Sequence, residues 1–237
     1  MKDNQRPVVM ITGAAGNLGS AAAAVFREQN ARLALFDHHE DRLPKLYPDL
    51  ANSPDHYLAV SVDLTDFDQV KEAVRKVLDK LGRIDVLVNT VGGFTMGSRV
   101  HEMDSSTWER MMNLNVQTLL NTAQAVLPQM RENKSGKMIN IGARPSLEGK
   151  PKMAPYSVAK AGVLRLTESM AAENKSLGIN VNCVIPGTID TPENREAMPD
   201  ADFDRWVKPE SLARVISFLA SPDARDIHGA AIPVYGS

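Results

Sequence analysis

Short apolar runs rich in β-branched residues alternate along this chain with longer segments of helical character. Such runs predict buried strands of a parallel sheet, because helices cover both faces of that kind of sheet. The predicted strands cover residues 8–12, 32–36, 56–62, 84–88, 138–141, 179–184 and 231–234. The predicted helices cover residues 20–29, 67–81, a long stretch from 104, 156–177 and 209–220. No linker or repeat divides this alternation, so residues 1–237 are predicted to form one α/β domain. Its doubly wound parallel sheet would have about seven strands and carry helices on both faces.

The first predicted strand leads into a glycine-rich turn, where residues 13–19 read GAAGNLG, and an Ala-rich helix follows. A strand, a glycine-rich turn and a helix in this order indicate a Rossmann-like site for the pyrophosphate of a dinucleotide. Gly13 would permit the tight turn, Gly16 the close approach of the pyrophosphate, and Gly19 the packing of helix on strand. Asn17 and Leu18 complete the turn, so the helix N-terminus would face the phosphates.

An acidic residue, Asp37, ends the second predicted strand. A carboxylate there accepts hydrogen bonds from the adenosine ribose and repels a 2′-phosphate, which favours NAD(H) over NADP(H). The alternative is that Asp37 caps the loop into the next helix. Asp63 follows the third strand and could lie by the adenine edge. His38 and His39 lack partner ligands at metal spacing, so we interpret them as solvated or near the adenine, and no metal site is predicted.

Tyr156 and Lys160 lie four residues apart on a predicted helix and therefore share one face. A free phenol has a pKa of ~10, and a nearby cation favours the phenolate. Lys160 could thus make Tyr156 a proton donor near neutral pH. The alternative is an ordinary exposed pair one turn apart. Asn113 and Asn115 interrupt another packed helical stretch, which a kinked turn or a bound water near the active centre would explain.

Composition narrows the range of partners. The chain has 43% hydrophobic and 24% charged residues and a net charge of −2, which gives no electrostatic reason to expect nucleic acid or an acidic membrane. No apolar run reaches the ~18 residues of a membrane span, and the start of the chain leaves no room for a signal peptide. A single cysteine, Cys183, excludes an internal disulfide and is expected to be a packed thiol. We therefore expect a cytoplasmic protein with a small-molecule substrate.

Taken in order, these motifs resemble the short-chain dehydrogenase/reductase family along nearly the whole chain. The motifs are residues 12–19, Asp63-Leu64, Asn89-Thr90-Val91-Gly92, Tyr156-x-x-x-Lys160 and residues 186–191. The resemblance implies that Tyr156 is the acid/base, that Lys160 lowers its pKa and holds the nicotinamide ribose, and that Asn115 holds a water for proton relay. It also implies cofactor contacts from Leu64, Asn89, Ile189 and Thr191, the last two with the nicotinamide amide.

The chain departs from the family pattern in three places. Its glycines are spaced G-x-x-G-x-x-G, and the motif at Asn89 lacks the usual second Asn. Ala143 stands where the family has its catalytic Ser, and loss of such a donor typically costs ~10²–10³ in rate. Ser146, Thr90 or Arg144 could replace the missing hydroxyl. A substrate that does not need this donor is the other explanation.

A second resemblance, to the dihydropteridine reductases within this family, supports the latter explanation. It covers residues 142–156 and 189–206 and includes Gly92-Gly93. Those enzymes also have Ala in place of the Ser, prefer NADH and reduce a quinonoid dihydropterin. Hydride delivered to such a conjugated ring places charge on ring nitrogens, so a donor to a carbonyl oxygen is dispensable. Asn115 departs from this second pattern.

The stretch from 193 to 205 is polar with embedded apolar residues, which predicts a mobile lid. Six side chains could line an apolar substrate pocket beneath it, although core packing would explain any one of them equally well. They are Phe94, Met96, Met153, Met198, Phe203 and Trp206. The family resemblance further implies a homodimer or homotetramer paired through helices at 104–131 and 154–177.

Three functions remain open from the sequence. The first is an NAD(H)-dependent reductase of a conjugated substrate such as a quinonoid dihydropterin. The second is an NAD(H)-dependent alcohol dehydrogenase or ketone reductase with a substitute for the missing Ser. The third is an NAD-binding sensor without turnover, against which the combination of Tyr156, Lys160 and Asn115 argues.

Overall fold

One parallel sheet organises the computed structural model, which describes residues 6–237. The expectation concerning a signal peptide rests partly on Met1–Gln5, which lie outside the described residues. Within the described range, seven strands pair in the order β3-β2-β1-β4-β5-β6-β7, and every pairing is parallel. The strands are β1 (Val8–Thr12), β2 (Arg32–Phe36), β3 (Tyr57–Ala59), β4 (Val86–Asn89), β5 (Gly136–Ile141), β6 (Ile179–Pro186) and β7 (Ala231–Val234).

Helices cover both faces of this sheet, and alternation along each strand divides the core between them. On β1, Val8 and Met10 pack into a cluster with α3, α5 and α6, whereas Val9 and Ile11 pack into a second cluster with α1, α2 and α8. These helices are α1 (Asn17–Glu28), α2 (Arg42–Leu46), α3 (Phe67–Leu81), α4 (Ser105–Met112), α5 (Thr118–Asn133), α6 (Ala154–Asn174), α7 (Pro192–Ala197) and α8 (Pro209–Ala220).

The predicted fold class, an α/β doubly wound parallel sheet with seven strands, is confirmed. The boundaries of several elements differ from the predicted ones. The third strand is shorter than predicted, α1 begins at Asn17 rather than residue 20, and the helix implied after Asp37 is only the short α2. The long helix expected from 104 is divided, because a π-helical turn at Asn113–Gln117 separates α4 from α5. A π-turn inserts an extra residue into the helical ladder and turns a side chain out of its regular position.

The strand order reverses beside β1, whose neighbours are β2 on one side and β4 on the other. At such a point the loops after the two strands diverge to opposite faces and leave a crevice at the carboxyl ends of the strands. The glycine-rich turn after β1 opens into this crevice, and the segments after β2, β4, β5 and β6 surround it. The sheet therefore collects the residues singled out in the sequence at one edge.

Candidate active site

The turn between β1 and α1 has the geometry that the glycines predict. Gly13 adopts a φ of +63°, which an L side chain rarely adopts, and its carbonyl accepts a hydrogen bond from Gly16 N at 2.9 Å. A Cβ at Gly19 would overlap the Gly13 carbonyl and lie 2.9 Å from Ala14 Cα, so helix and turn pack backbone to backbone. Gly16 precedes α1 and has no side chain with which to cap it. The residues fit a dinucleotide, because the first N–H groups of α1 face a turn whose glycines let a pyrophosphate approach.

Asp37 lies beside this turn at the end of β2. Ala14 N donates to Phe36 O at 3.0 Å, which brings the two loops together. The Asp37 side chain is only 3% exposed, and its Oδ1 accepts a hydrogen bond from His39 N at 3.0 Å. Asp37 therefore caps its own loop, as the alternative interpretation predicted. This capping is compatible with a cofactor contact, because a carboxylate has acceptor capacity beyond one hydrogen bond.

Arg42 is a residue of this region that the sequence reasoning missed. Its Nη2 donates to Ala15 O at 2.6 Å, and its Nη1 lies 3.8 Å from Asp37 Oδ1. The guanidinium thus places a positive charge between the glycine-rich turn and the carboxylate expected to meet the ribose. An arginine at the first position of a short helix carries no distinctive sequence signal. Only the folding of α2 toward the turn reveals this contact.

The next two predicted cofactor residues, Asp63 and Leu64, lie in the loop after β3. Asp63 is exposed, and its Oδ1 accepts from both Thr65 N and Thr65 Oγ1, at 2.8 and 2.7 Å. Leu64 is buried, and its carbonyl accepts from Asn121 Nδ2 at 2.8 Å. Asp63 thus has an exposed carboxylate at the sheet edge, whereas Leu64 packs inward and anchors the loop to α5.

Asn89 has a different setting from the one expected of a side chain that contacts a cofactor. Its Nδ2 donates to Asn140 Oδ1 at 2.9 Å, and its Oδ1 accepts from Thr122 Oγ1 at 2.8 Å. Asn140 Nδ2 in turn donates to Thr167 Oγ1 at 2.9 Å. This buried network joins β4, β5, α5 and α6, and it occupies both ends of the Asn89 amide. A contact between Asn89 and a cofactor would have to come from its backbone.

Tyr156 and Lys160 come together at the start of α6. Lys160 is fully buried among its neighbours, and its Nζ donates to Ile141 O, at the end of β5, at 2.9 Å. The Nζ lies 6.0 Å from the centroid of the Tyr156 ring. Phe94 meets the same ring edge to face, with centroids 5.0 Å apart. The loop after β4 must come close here, since a Cβ at Gly92 would stand 3.0 Å from Lys160 Nζ.

Burial alters both pKa values in directions that the sequence did not predict. It raises the pKa of Tyr156 to about 12 and lowers the pKa of Lys160 to about 8. Each shift favours the neutral form of its group, because a charge in this apolar setting loses hydration. The expected lowering of the Tyr156 pKa by Lys160 is therefore wrong for the chain by itself: the Nζ is directed to Ile141 O, and desolvation dominates. At neutral pH the phenol holds its proton.

Asn115 occupies the π-helical turn, in agreement with the expected kink, and is almost completely buried. Its Oδ1 accepts from Gly93 N at 3.1 Å, and its Nδ2 donates to Gly93 O at 3.0 Å and to Met111 O at 3.0 Å. The amide therefore holds the loop after β4 beside Lys160. These bonds use both N–H groups of the amide, so the side chain can hold a water for proton relay only through the second lone pair of Oδ1.

Ala143 lies just after β5, in a segment that packs on α6. Two of the three candidate substitutes for the missing Ser donate their hydroxyl hydrogen to a backbone carbonyl. Ser146 Oγ donates to Ala143 O at 2.6 Å, and Thr90 Oγ1 donates to Thr12 O at 2.5 Å. The third, Arg144, lies over the ring of Tyr235 at 5.3 Å from the centroid. Each candidate is engaged in a contact that holds the local backbone or surface.

The segment after β6 contains the short helix α7 in the predicted lid. Thr191 Oγ1 caps α7 by accepting from Asn194 N at 3.2 Å, and Asn194 Nδ2 donates to Ile189 O at 2.8 Å. Ile189 and Thr191 thus form the base of α7. Asn17, the first residue of α1, donates from Nδ2 to Glu193 Oε2 at 2.9 Å and joins the turn to the lid. Glu193 is a second contact residue that the sequence reasoning missed.

The apolar side chains expected beneath the lid do not form one group. Phe94 contacts Tyr156, whereas Phe203 packs on Trp206 with ring centroids 4.8 Å apart. Met96 and Met198 are exposed. A cavity of about 650 Å³ lies elsewhere, between α1, the base of the lid and the start of α8. Its lining includes Asn17 and Thr191 but not Tyr156, so it borders the expected cofactor site rather than the proton donor.

Two further properties concern residues 6–237 only. None of the helices in this range is both long and apolar enough to cross a membrane. In the same range, no three or more His, Cys, Asp and Glu side chains come together as a metal site would require. Cys183 is buried, as predicted, and burial raises its thiol pKa to about 11.

Known proteins share this arrangement of fold and motifs. The family model for short chain dehydrogenases matches residues 7–202. The 3-oxoacyl-[acyl-carrier-protein] reductase FabG of Thermotoga maritima is 33% identical, over 97% of this chain and 96% of its own. Meso-2,3-butanediol dehydrogenase of Serratia marcescens is also 33% identical, over 97% of this chain and 93% of its own. The solved structure of ElxO with NADP bound has a TM-score of 0.89 at 26% identity and covers 98% of each chain.

Proposed function

Because the chain belongs to the short-chain dehydrogenase family and is an oxidoreductase of that family, we propose that it reduces a conjugated, electron-poor substrate with NADH. A quinonoid dihydropterin is the substrate class that fits best. The observation that carries this proposal is Ala143, whose side chain has no hydroxyl and which precedes a turn that packs on α6, the helix of Tyr156 and Lys160. Carbonyl reduction depends on a donor to the developing oxyanion, whereas a conjugated C=N system spreads the charge over ring nitrogens.

The chemistry assigned to this chain's residues is proton delivery. A bound nicotinamide would supply the hydride to the electron-poor conjugated ring system. The ring nitrogen that gains the electron pair then takes the proton from the Tyr156 hydroxyl. A phenol with a pKa of about 12 keeps its proton at neutral pH and so begins the reaction in the donor form. Lys160 stands next to the phenolate that this step leaves, and Asn115 positions the loop at Gly93 beside them.

The environment of the tyrosine agrees with a flat substrate. Phe94 meets the Tyr156 ring edge to face and is itself 54% exposed, so it offers an aromatic surface beside the proton donor. Aromatic faces bind planar conjugated rings in offset or edge-to-face arrangements. A small aliphatic ketone would make little contact with the Phe94 ring.

Asp37 supports NADH as the preferred cofactor, because its carboxylate lies where the adenosine ribose is expected and disfavours a 2′-phosphate. Arg42 moderates this effect with a positive charge 3.8 Å away. The related ElxO structure contains NADP. A direct comparison of NADH and NADPH as electron donors tests the preference, and equal kcat/KM values would contradict it.

A ketone reductase or alcohol dehydrogenase is the second candidate, favoured by the names of two relatives, a 3-oxoacyl reductase and a butanediol dehydrogenase. The substitution Ala143→Ser separates the two candidates. If the enzyme is a conjugated-ring reductase, the new hydroxyl should raise carbonyl reduction sharply without improving pterin reduction. A substantial carbonyl activity in the unaltered enzyme would favour the second candidate.

The decisive measurement is NADH oxidation with a panel of substrates. Quinonoid dihydropterin should be compared with simple ketones, quinones and oxoacyl thioesters under identical conditions. We expect the highest kcat/KM for the pterin. Preference for a ketone or oxoacyl compound would overturn the proposed substrate class. Tight NADH binding without turnover of any compound would instead favour a sensor.

We also propose that the protein is a cytoplasmic homodimer or homotetramer that pairs through α6. Val158, near the start of this helix, is 45% exposed, and Ala161 and Gly162 share its face at half-buried positions. Further along, Arg165 is exposed and pairs with Glu168, so the apolar surface is confined to the first half of the helix. Exposed apolar side chains of this kind are typical of contacts between subunits.

A further inference from the structure

Glu193 bridges two parts of the cofactor region that are far apart in sequence. It is the second residue of α7, at the base of the lid, and its Oε2 accepts the hydrogen bond from Asn17 Nδ2 at 2.9 Å. Asn17 is the first residue of α1, directly after the glycine-rich turn. A carboxylate from the lid is therefore held at the place where the start of α1 would meet a pyrophosphate.

This position suits an anion. Helix α1 has twelve residues, no acidic residue in its first turn, and a glycine before it that provides no capping side chain. The positive end of its dipole thus lacks a negative charge from its own sequence. Glu193, which is distant in sequence but bonded to Asn17, supplies this negative charge.

The surroundings of Glu193 keep it ionised. Its own backbone N–H, the Thr191 hydroxyl and Asn17 donate hydrogen bonds that lower the pKa of the carboxyl, and the positive charge of Arg42 adds to this effect. The group therefore carries its negative charge at neutral pH. Arg42 also bonds to Ala15 O in the turn, so the same small region holds one built-in anion and one cation.

We infer that Glu193 is an affinity-determining residue that competes with the pyrophosphate of the dinucleotide for the start of α1. The identity of that ligand rests on the proposed function. Two anions cannot share the Asn17 amide and the end of the helix dipole without repulsion, so the carboxylate must withdraw when the pyrophosphate arrives. Withdrawal of the carboxylate breaks the hydrogen bond that joins the start of α1 to α7. Cofactor occupancy and this contact between the turn and the lid are therefore coupled.

Direct binding measurements test this inference without relying on turnover. The dissociation constants of NADH, ADP and adenosine should be measured by fluorescence or calorimetry for the unaltered protein, Glu193→Gln and Glu193→Ala. Gln keeps an acceptor for Asn17 but removes the charge, whereas Ala removes both. Glu196→Gln is the matched control, since Glu196 is an exposed acid on the same helix.

Both substitutions at Glu193 should tighten NADH and ADP binding by roughly 3- to 10-fold, because the competing charge is partly screened by solvent. Adenosine, which has no pyrophosphate, should bind with an unchanged dissociation constant. The control should leave all three constants unchanged. In an Asn17→Ala background, the gain from Glu193→Gln should shrink, because the carboxylate is no longer held at the turn.

Several results would overturn the inference. Unchanged or weaker ADP binding in Glu193→Gln would show that the carboxylate does not oppose the pyrophosphate. An equal gain for adenosine would indicate that the substitution merely opens the lid. Absence of NADH and ADP binding in every variant would also reject it. The proposed reaction is judged separately, by turnover of the unaltered enzyme, so either idea can fail while the other stands.

Discussion

Tyr156 and Lys160 lie in a setting that opposes charge on both of them. Burial raises the pKa of the phenol to about 12 and lowers the pKa of the ammonium to about 8, because it removes hydration from each charged form. A neutral phenol suits proton donation and therefore the reductive direction. The sequence identified the two residues from their spacing. It gave the wrong sign for the Tyr156 shift and none for Lys160, because burial depends on the loop after β4 and on β5.

Replacement of Tyr156 by Phe tests the proton donor. We expect turnover of whichever panel substrate is accepted to fall by about 10²–10⁴-fold, because general acid catalysis contributes that much. NADH binding should stay nearly constant, since the ring itself remains. Steady-state kinetics and NADH fluorescence give the two quantities. Tyr57→Phe on β3 serves as a control with normal activity, and full activity in Tyr156→Phe would refute the assignment.

The pKa of Lys160 predicts how stability depends on pH. The group has an ordinary pKa of 10.5 when unfolded and about 8 when folded, so between these values the unfolded chain binds more protons. The free energy of unfolding contributed by this group therefore rises as pH rises from about 8 to 10.5. Relative to Lys160→Met, the unaltered protein should gain up to about 3 kcal/mol between pH 7 and 10.5.

Denaturant unfolding at several pH values measures this difference, and the contributions of other groups cancel between the two proteins. Lys175→Met is the control, because Lys175 is exposed and should show no such pH dependence. A constant difference between the unaltered protein and Lys160→Met would mean that the buried lysine does not titrate near 8.

At the scale of elements, the π-helical turn at Asn113–Gln117 decides where the loop after β4 lies. Two asparagines in a packed stretch left a kinked turn or a bound water as explanations, and the structure has a π-helical turn there. What the sequence left open was which asparagine turns inward. Asn115 is buried and bonds to both backbone groups of Gly93, whereas Asn113 is exposed. The choice depends on the position of Gly93, which belongs to another element.

Asn115→Leu should lower the free energy of unfolding by about 1–3 kcal/mol, because the N–H and C=O of Gly93 would lose their partner. Turnover should fall as well, since Gly92 and Gly93 pass beside Lys160. Thermal unfolding and kcat/KM are the measurements. Asn113→Ala should change neither quantity appreciably. Equal effects of the two substitutions would show that the bonds to Gly93 are unimportant.

At the scale of the whole molecule, the sheet order brings distant segments to one edge. The turn after β1 meets the lid after β6 through Asn17 and Glu193, and α2 folds back so that Arg42 reaches the same turn. Val158 near the start of α6 remains exposed, which supports the proposed pairing with a second copy of the chain.

Val158→Glu tests this pairing. A charge among the exposed apolar residues near the start of α6 should weaken association, so light scattering after size exclusion should show a smaller mass than for the unaltered protein. Val100→Glu is the control, because Val100 is 69% exposed but lies outside α6. A monomeric unaltered protein, or an unchanged mass for Val158→Glu, would contradict the proposed interface.

The sequence by itself determined the strand–helix alternation, the glycine-rich turn with its N-terminal helix, and the spacing of Tyr156 and Lys160. These features follow from local rules, because side-chain periodicity and glycine conformation depend on a few consecutive residues. Only the tertiary structure decided that Asn89 faces the core, that burial raises the pKa of Tyr156, and that Glu193 reaches Asn17. Each of these depends on burial or contact between segments that are distant in the chain, and no local pattern encodes such distances.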